Sequence, residues 1–187
     1  MTKNSETLQF DAPPSWVSFA PIMQAFLIWL EATSLSTWLR ESPSLFAFPA
    51  VLSCHTVGMG IVAGINAAVA LRILGAAPSV PLVEMKKFLP VMWFGFWLNA
   101  ASGVGLLIAY PTKALTNPVF YLKLVLIASG IVLARAINRR AFTGPALEIL
   151  SSQRLRALAA ASLVCWAGAI TAGRLLAYTY SRLMATI

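Results

Sequence analysis

The stretch from Phe46 to Leu74 restricts the fold of this chain most, because it carries no charged residue before Arg72. An apolar run of about 20 residues is enough to cross the hydrocarbon core of a bilayer as an α-helix. This stretch is longer, so we expect it to span a membrane. It also contains His55, the one histidine of the chain.

The composition supports a membrane protein. The chain is 59% hydrophobic and 11% charged, with a mean hydropathy of +0.78. One small soluble domain of 187 residues cannot bury so much apolar surface. The net charge of +8 would suit a nucleic-acid partner in a soluble protein, but the basic residues cluster at the ends of apolar runs, as the positive-inside bias requires. We therefore expect a lipid bilayer and no nucleic-acid partner.

Three further apolar runs are long enough to span: Phe88–Tyr110, Pro118–Asn138 and Leu155–Tyr180. Gly75 suits the end of the first span, while Asn117 and Pro118 suit the start of the third. The predicted loops are short, which favours neighbouring helices of opposite direction. The predicted fold class is an all-α membrane protein, with a four-transmembrane-helix antiparallel bundle at residues 43–187.

The N-terminal part differs from the spans. Residues 1–15 are polar, lack the pattern of a secretory signal peptide and are predicted to be flexible. In the segment 16–42 the apolar run is short for a span and rich in Trp and Phe, which favours an amphipathic helix lying in the membrane interface. A fifth span is the alternative.

The basic residues predict the orientation. One side of the four-span arrangement collects Arg72, Lys86, Lys87, Arg135, Arg139, Arg140, Arg154 and Arg156, with only Glu84 and Glu148 beside them. That side is expected to be cytoplasmic. Both termini are then expected on the opposite, outer side of the membrane.

The first span has two distinct helical faces. His55, Met59 and Asn66 fall on roughly one face, where chemistry is expected. A second face carries Gly60 and Gly64, the small-residue spacing that lets another helix approach closely.

An ionisable side chain within a span is costly and usually faces the interior of the bundle, so His55 is the leading site candidate. Three interpretations stay open: ligation of haem iron or a metal ion, a proton or quinone role, and a neutral imidazole hydrogen-bonded to a backbone carbonyl or to Asn99, Ser102 or Thr171. A haem held by two histidines of one chain is excluded, because there is only one histidine.

Two cations lie inside predicted spans that contain no acidic residue. Lys123 and Arg174 are each ~9 Å from the outer boundary, and His55 is ~13 Å deep, at 1.5 Å per residue. Three roles stay open for these cations. They extend to the lipid headgroups, they pair with Glu31, or they hold the acidic groups of a ligand such as the propionates of a haem. Asn99 lies on a face of the second span that is a plausible contact for His55.

The two cysteines differ in depth by ~10 Å, more than a disulfide allows. They are expected to be small buried hydrophobic residues. Cys54, His55 and Met59 could also contribute to a copper site, because thiolate and thioether ligands suit Cu(I).

Several segments resemble a family of small bacterial inner-membrane proteins related to the CopD-type copper-resistance membrane domains. They are WLEATSLSTWLRES at 29–42, CHTVGMG and LRILG in the first span, FLPVMWFGFWLNAASG in the second, and NPVFYLKLVL at the start of the third. The resemblance implies a four-helix membrane domain in which His55 is the residue carried over. Related four-helix proteins include copper-transport domains and, more distantly, the membrane subunits of b-type cytochromes.

We therefore expect a non-catalytic membrane subunit or anchor of a redox complex that binds haem b or quinone near His55. The alternatives are a copper-handling protein of CopD-like type and a purely structural subunit. Other membrane subunits or further copies of the chain are the expected partners. The candidate site residues are His55, Met59, Asn99, Lys123 and Arg174, with His55 also the candidate metal ligand.

Overall fold

A computed structural model of the protein describes residues 19–142 and 152–183. The described chain is helical and contains no β-strand. Its α-helices are α1 (Phe19–Glu31), α2 (Ser34–Glu41), α3 (Phe48–Leu74), α4 (Leu89–Ala109), α5 (Pro111–Leu115), α6 (Pro118–Ala141) and α7 (Gln153–Leu183), and a 3₁₀ helix, Leu82–Phe88, precedes α4. The predicted flexible segment, residues 1–15, lies outside the described residues.

Four helical segments of the described chain are long and apolar enough to cross a membrane: Phe48–Leu74, Leu82–Ala109, Pro118–Ala141 and Gln153–Leu176. The predictions of an all-α fold and of four helices long and apolar enough to span a membrane are therefore confirmed. The predicted boundary signals also act as expected. Gly75 ends α3 in a left-handed conformation with φ 108°, and the side chain of Asn117 accepts a hydrogen bond from the Val119 amide at the start of α6.

The four long helices pack side by side in the order α4, α3, α7, α6. α3 contacts both α4 and α7, and α7 contacts α6. One buried cluster joins α3, α6 and α7 with the 3₁₀ helix: Val69, Ala70, Ile73, Leu82, Ile137, Ala141, Leu155 and Ala159. A second, smaller cluster lies near the middle of the spans: Val62, Ala63, Met92 and Trp166.

The backbones of α3 and α4 approach each other closely at Gly58. A Cβ atom at this position would lie 2.6 Å from the Asn99 amide nitrogen and 2.8 Å from the Gly95 carbonyl oxygen. The predicted small-residue pair behaves differently, since a Cβ atom at Gly60 or Gly64 would have no neighbour within 4 Å. Within the described residues no other helix approaches Gly60 and Gly64 closely, so their predicted packing against a helix of another chain stays a prediction, and Gly58, on the side of the histidine, makes the close approach to α4.

The interval predicted as one interfacial helix contains two short helices. The hydroxyl of Thr33 donates to the Leu30 carbonyl at the end of α1 and accepts from the Ser36 amide at the start of α2, so the chain stops and restarts there. Arg40 of α2 donates to the Ala109 carbonyl, 3.2 Å away, at the end of α4. A cation suits a helix C-terminus, so this contact fastens α2 to the end of α4.

We expect Gly58→Ala to lower the thermal stability of the protein, because the added methyl group meets the backbone of α4, and overpacking of this kind costs about 1–3 kcal/mol. Gly60→Ala is the matched control, since its methyl group enters open space. The measurement is the midpoint of thermal unfolding in one detergent. An equal change in the two variants would contradict the close contact at Gly58.

Candidate functional site

A polar cluster joins three apolar helices at about the same depth. It consists of His55 on α3, Asn99 and Ser102 on α4, and Lys123 on α6. Asn99 and Ser102 are three residues apart and share a helical face, which the close approach at Gly58 holds against α3. We call these four residues the His55 cluster.

The Nδ1 side of the imidazole faces α4. Nδ1 lies 3.1 Å from the Asn99 carbonyl oxygen and 3.3 Å from the Ser102 hydroxyl. A carbonyl oxygen only accepts hydrogen bonds, so Nδ1 of the neutral ring carries the proton and donates it. The Asn99 side-chain amide also donates to the His55 backbone carbonyl, 2.7 Å away. These contacts fix the orientation of the ring, and the shorter contact of Nδ1, with the Asn99 carbonyl, favours the tautomer with the lone pair on Nε2.

The Nε2 side of the imidazole faces Lys123. The Lys123 Nζ atom lies 3.4 Å from Nε2, at a distance that allows an ammonium group to donate to the ring lone pair. The lysine stem passes over Gly173 of α7, where an added Cβ atom would lie 3.6 Å from Cε. Within residues 19–142 and 152–183, no carboxylate forms a salt bridge with Lys123.

The structure brings three of the five predicted site residues together: His55, Asn99 and Lys123. Arg174 is exposed and Met59 is half-buried about one turn from His55 along α3, and neither belongs to the His55 cluster. Ser102, predicted only as a possible hydrogen-bond partner of the imidazole, also belongs to the cluster, with its hydroxyl 3.3 Å from Nδ1.

Two alternatives from the sequence have other contacts in the structure. The Glu31 carboxylate accepts from the Thr112 amide at the start of α5, 3.2 Å away, and does not pair with Lys123. The Thr171 hydroxyl donates to the Ala167 carbonyl of its own helix.

The cysteines are free thiols, and Cys54 is exposed while Cys165 is half-buried. The prediction that both are buried is therefore wrong for Cys54, because this residue lies on the outward surface of α3. The described residues contain no group of three or more His, Cys, Asp or Glu side chains placed to hold a metal ion.

A haem fits this arrangement poorly. The Nδ1 contact with a backbone carbonyl is the orientation that metal-binding histidines favour. However, iron bound at Nε2 would take the position next to the ring that Lys123 Nζ now occupies. Haem binding at His55 would therefore require the lysine to move away.

A second polar group lies further along α3. Asn66 is only 7% exposed and donates to the Val62 carbonyl, 2.7 Å away, and to the Met92 sulfur. It lines a small cavity together with α4, α6 and α7 residues, among them Trp93, Phe96, Ile131 and Trp166. This cavity marks the place where all four spans meet.

The fold and the His55 cluster define the class of protein: a multi-pass helical membrane protein with a polar cluster between its spans. No family model, curated protein or solved structure matches the chain. The resemblance to CopD-type domains therefore stays a prediction from the quoted segments.

Proposed function

We propose that this chain is a non-catalytic subunit of a redox complex in a bacterial inner membrane and that it binds a quinone at His55 and Lys123. One observation carries the proposal: an imidazole nitrogen and a lysine ammonium lie 3.4 Å apart between apolar spans. Ionisable side chains at such positions are costly, and they typically mark binding sites or proton pathways.

The chemistry of the pair suits a quinone headgroup. The carbonyl oxygens of a quinone accept hydrogen bonds, and an ammonium group has three donors, of which the contact with Nε2 uses one. When a partner subunit delivers electrons, negative charge develops on the quinone oxygens, and a nearby cation in a medium of low dielectric stabilises it.

Haem b and copper are the alternatives to quinone. Haem is less favoured because Lys123 stands at Nε2. Copper is less favoured because Cys54 is exposed while the His55 ring points toward α4 and α6, so the two side chains diverge. Each alternative gives its own signal in the test of the proposal.

The proposal includes an antiparallel arrangement of the spans with both termini in the periplasm. Val51 near the start of α3 contacts Gly105 near the end of α4, whereas Ile61, further along α3, contacts Gly95. On the other side of the bundle Lys123 lies against Gly173 and Gly130 against Trp166. In each pair the contacts run in opposite order along the two helices, which supports antiparallel packing. The placement of the basic residues supports the assignment of the cytoplasmic side and therefore of the periplasmic termini.

The proposal also places α1 and α2 at the outer interface of the membrane. The described α1 has 13 residues, ~20 Å, which is shorter than the ~30 Å of hydrocarbon. It exposes several large apolar side chains that suit contact with lipid: Ile22, Met23, Phe26, Ile28 and Trp29.

Association with another subunit or a second copy of the chain completes the proposal. The open face at Gly60 and Gly64 supports it, because small residues are what close helix packing in membranes requires.

We expect the purified protein to bind a short-tailed quinone, and we expect His55→Ala and Lys123→Met to weaken this binding. Loss of one hydrogen bond from a charged group corresponds to about tenfold in affinity or more. Lys86→Met is the matched control, because it removes the same charge from an exposed position. The measurement is a binding titration in detergent.

An absorption spectrum and a metal analysis complete this test. A Soret band that disappears in His55→Ala would identify haem, and stoichiometric copper lost in the same variant would identify copper. Either result would contradict the quinone proposal. Unchanged quinone affinity in both site variants would also contradict it.

We expect Ser79→Cys to react with a membrane-impermeant thiol reagent only from the cytoplasm and Thr116→Cys only from the periplasm. Both positions are exposed and lie in the connections at opposite ends of α4. Cys54 and Cys165 are first replaced by Ala to remove the native thiols. The reverse labelling pattern would show that the proposed orientation is inverted.

We expect the double variant Gly60→Leu, Gly64→Leu to lower the native mass of the protein in mild detergent, because leucine side chains would separate the associated helices. Val132→Leu adds bulk at an exposed position of α6 and serves as the control. An unchanged native mass in the double variant would contradict association through this face.

A further inference from the structure

The two outer helices of the packing order, α4 and α6, do not pack closely against each other. α4 gives its closest contact to α3 at Gly58 and Gly95, and α6 gives Gly130 to Trp166 of α7. Where α4 and α6 do meet, long side chains make the contact, as in the Arg135 guanidinium 5.1 Å from the centre of the Trp93 ring. We call the boundary between α4 and α6 the seam.

The inner half of the seam, which is the half toward the proposed cytoplasmic side, is filled by side chains. Trp93 and Phe96 of α4 face Ile131 and Ala134 of α6 across the small cavity at Asn66. Large side chains on both helices therefore close this part of the seam.

The outer half of the seam is more open. By helical periodicity the face of Phe96 continues through Gly103 to Leu107, and the face of Ile131 continues through Leu124. Gly103 has no side chain, and Leu124 is 45% exposed.

The His55 ring lies directly behind this gap. A Cβ atom at Gly103 would be 3.3 Å from the Cε1 atom of the ring. Lys123, which contacts the other side of the ring, directly precedes Leu124 on α6. The His55 ring and the Lys123 ammonium group therefore both lie next to the outer half of the seam.

The C-terminal end of α4, by contrast, is covered by other parts of the protein. Ser36, which is fully buried, and Arg40 of α2 both donate to the Ala109 carbonyl at this end. The Tyr110 ring lies edge-on against Phe48, with the ring centres 5.7 Å apart. In the proposed orientation, these contacts place protein between the aqueous phase and the end of α4, and the outer half of the seam faces the surrounding lipid.

We infer that the quinone reaches His55 and Lys123 sideways from the bilayer, through the outer half of the seam. The inference rests on the proposed function and deepens it, because the ligand is then a lipid-soluble quinone with a long apolar tail. The headgroup lies at the His55 cluster, and the tail extends between α4 and α6 into the hydrocarbon.

The test is the rate at which the protein, reconstituted in vesicles, takes up a radiolabelled long-tailed quinone. Leu107→Trp and Leu124→Trp add bulk on the two sides of the gap and are expected to slow uptake about tenfold. Leu124→Ala widens the gap and is expected to speed uptake. The matched controls are Val91→Trp and Val125→Trp, whose positions are 47% and 62% exposed on the same helices and lie off the faces that line the seam.

A second measurement separates the failure of this inference from the failure of the proposed function. Binding of a short-tailed quinone at equilibrium reports the site itself. If the unmodified protein binds none, the proposed function and the route both fail. If it binds and Lys123→Met weakens the binding, but all seam variants take up the long-tailed quinone at the unmodified rate, the lateral route alone is overturned.

Discussion

The close approach of α3 and α4 at Gly58 is the contact on which the rest of the site depends. Lipid surrounds the helices and gives no hydrophobic drive for them to associate, so packing at small residues has to hold them together. With Gly58 against the Gly95 carbonyl and the Asn99 amide, the two backbones come close enough for the Asn99 carbonyl to reach the His55 ring. A larger residue at Gly58 would move this hydrogen-bond acceptor away from the histidine.

The hydrogen bonds of the His55 cluster explain how a histidine is accommodated between apolar helices. Nδ1 donates to α4 and Nε2 accepts from Lys123, so both ring nitrogens have partners. A purely structural role would account for the contacts with Asn99 and Ser102. It accounts less well for a lysine in the same place, because an ammonium group is costly in a span and has more donors than one imidazole nitrogen can satisfy. The proposed quinone, whose carbonyl oxygens accept hydrogen bonds, would use these remaining donors.

Much of the fold could be predicted from the sequence, because membrane spans are set by length and hydropathy. The four spans, the Gly75 end of α3 and the Asn117 cap of α6 follow from local properties of the chain. Part of the site was predictable for a related reason. His55 and Lys123 stand out because ionisable residues are rare in spans, and helical rise alone put them at similar depths.

The sequence by itself determined which segments cross the membrane and which residues are too costly to face lipid. Only the tertiary structure decided which faces meet. Glycines look alike in the sequence, yet Gly58 touches a neighbouring backbone while Gly60 and Gly64 do not, because the rotation of each helix is set by packing with the others. The tertiary structure likewise decided that Lys123 contacts His55 while Arg174 is exposed, since the side-chain direction of a residue depends on its neighbours as well as its depth.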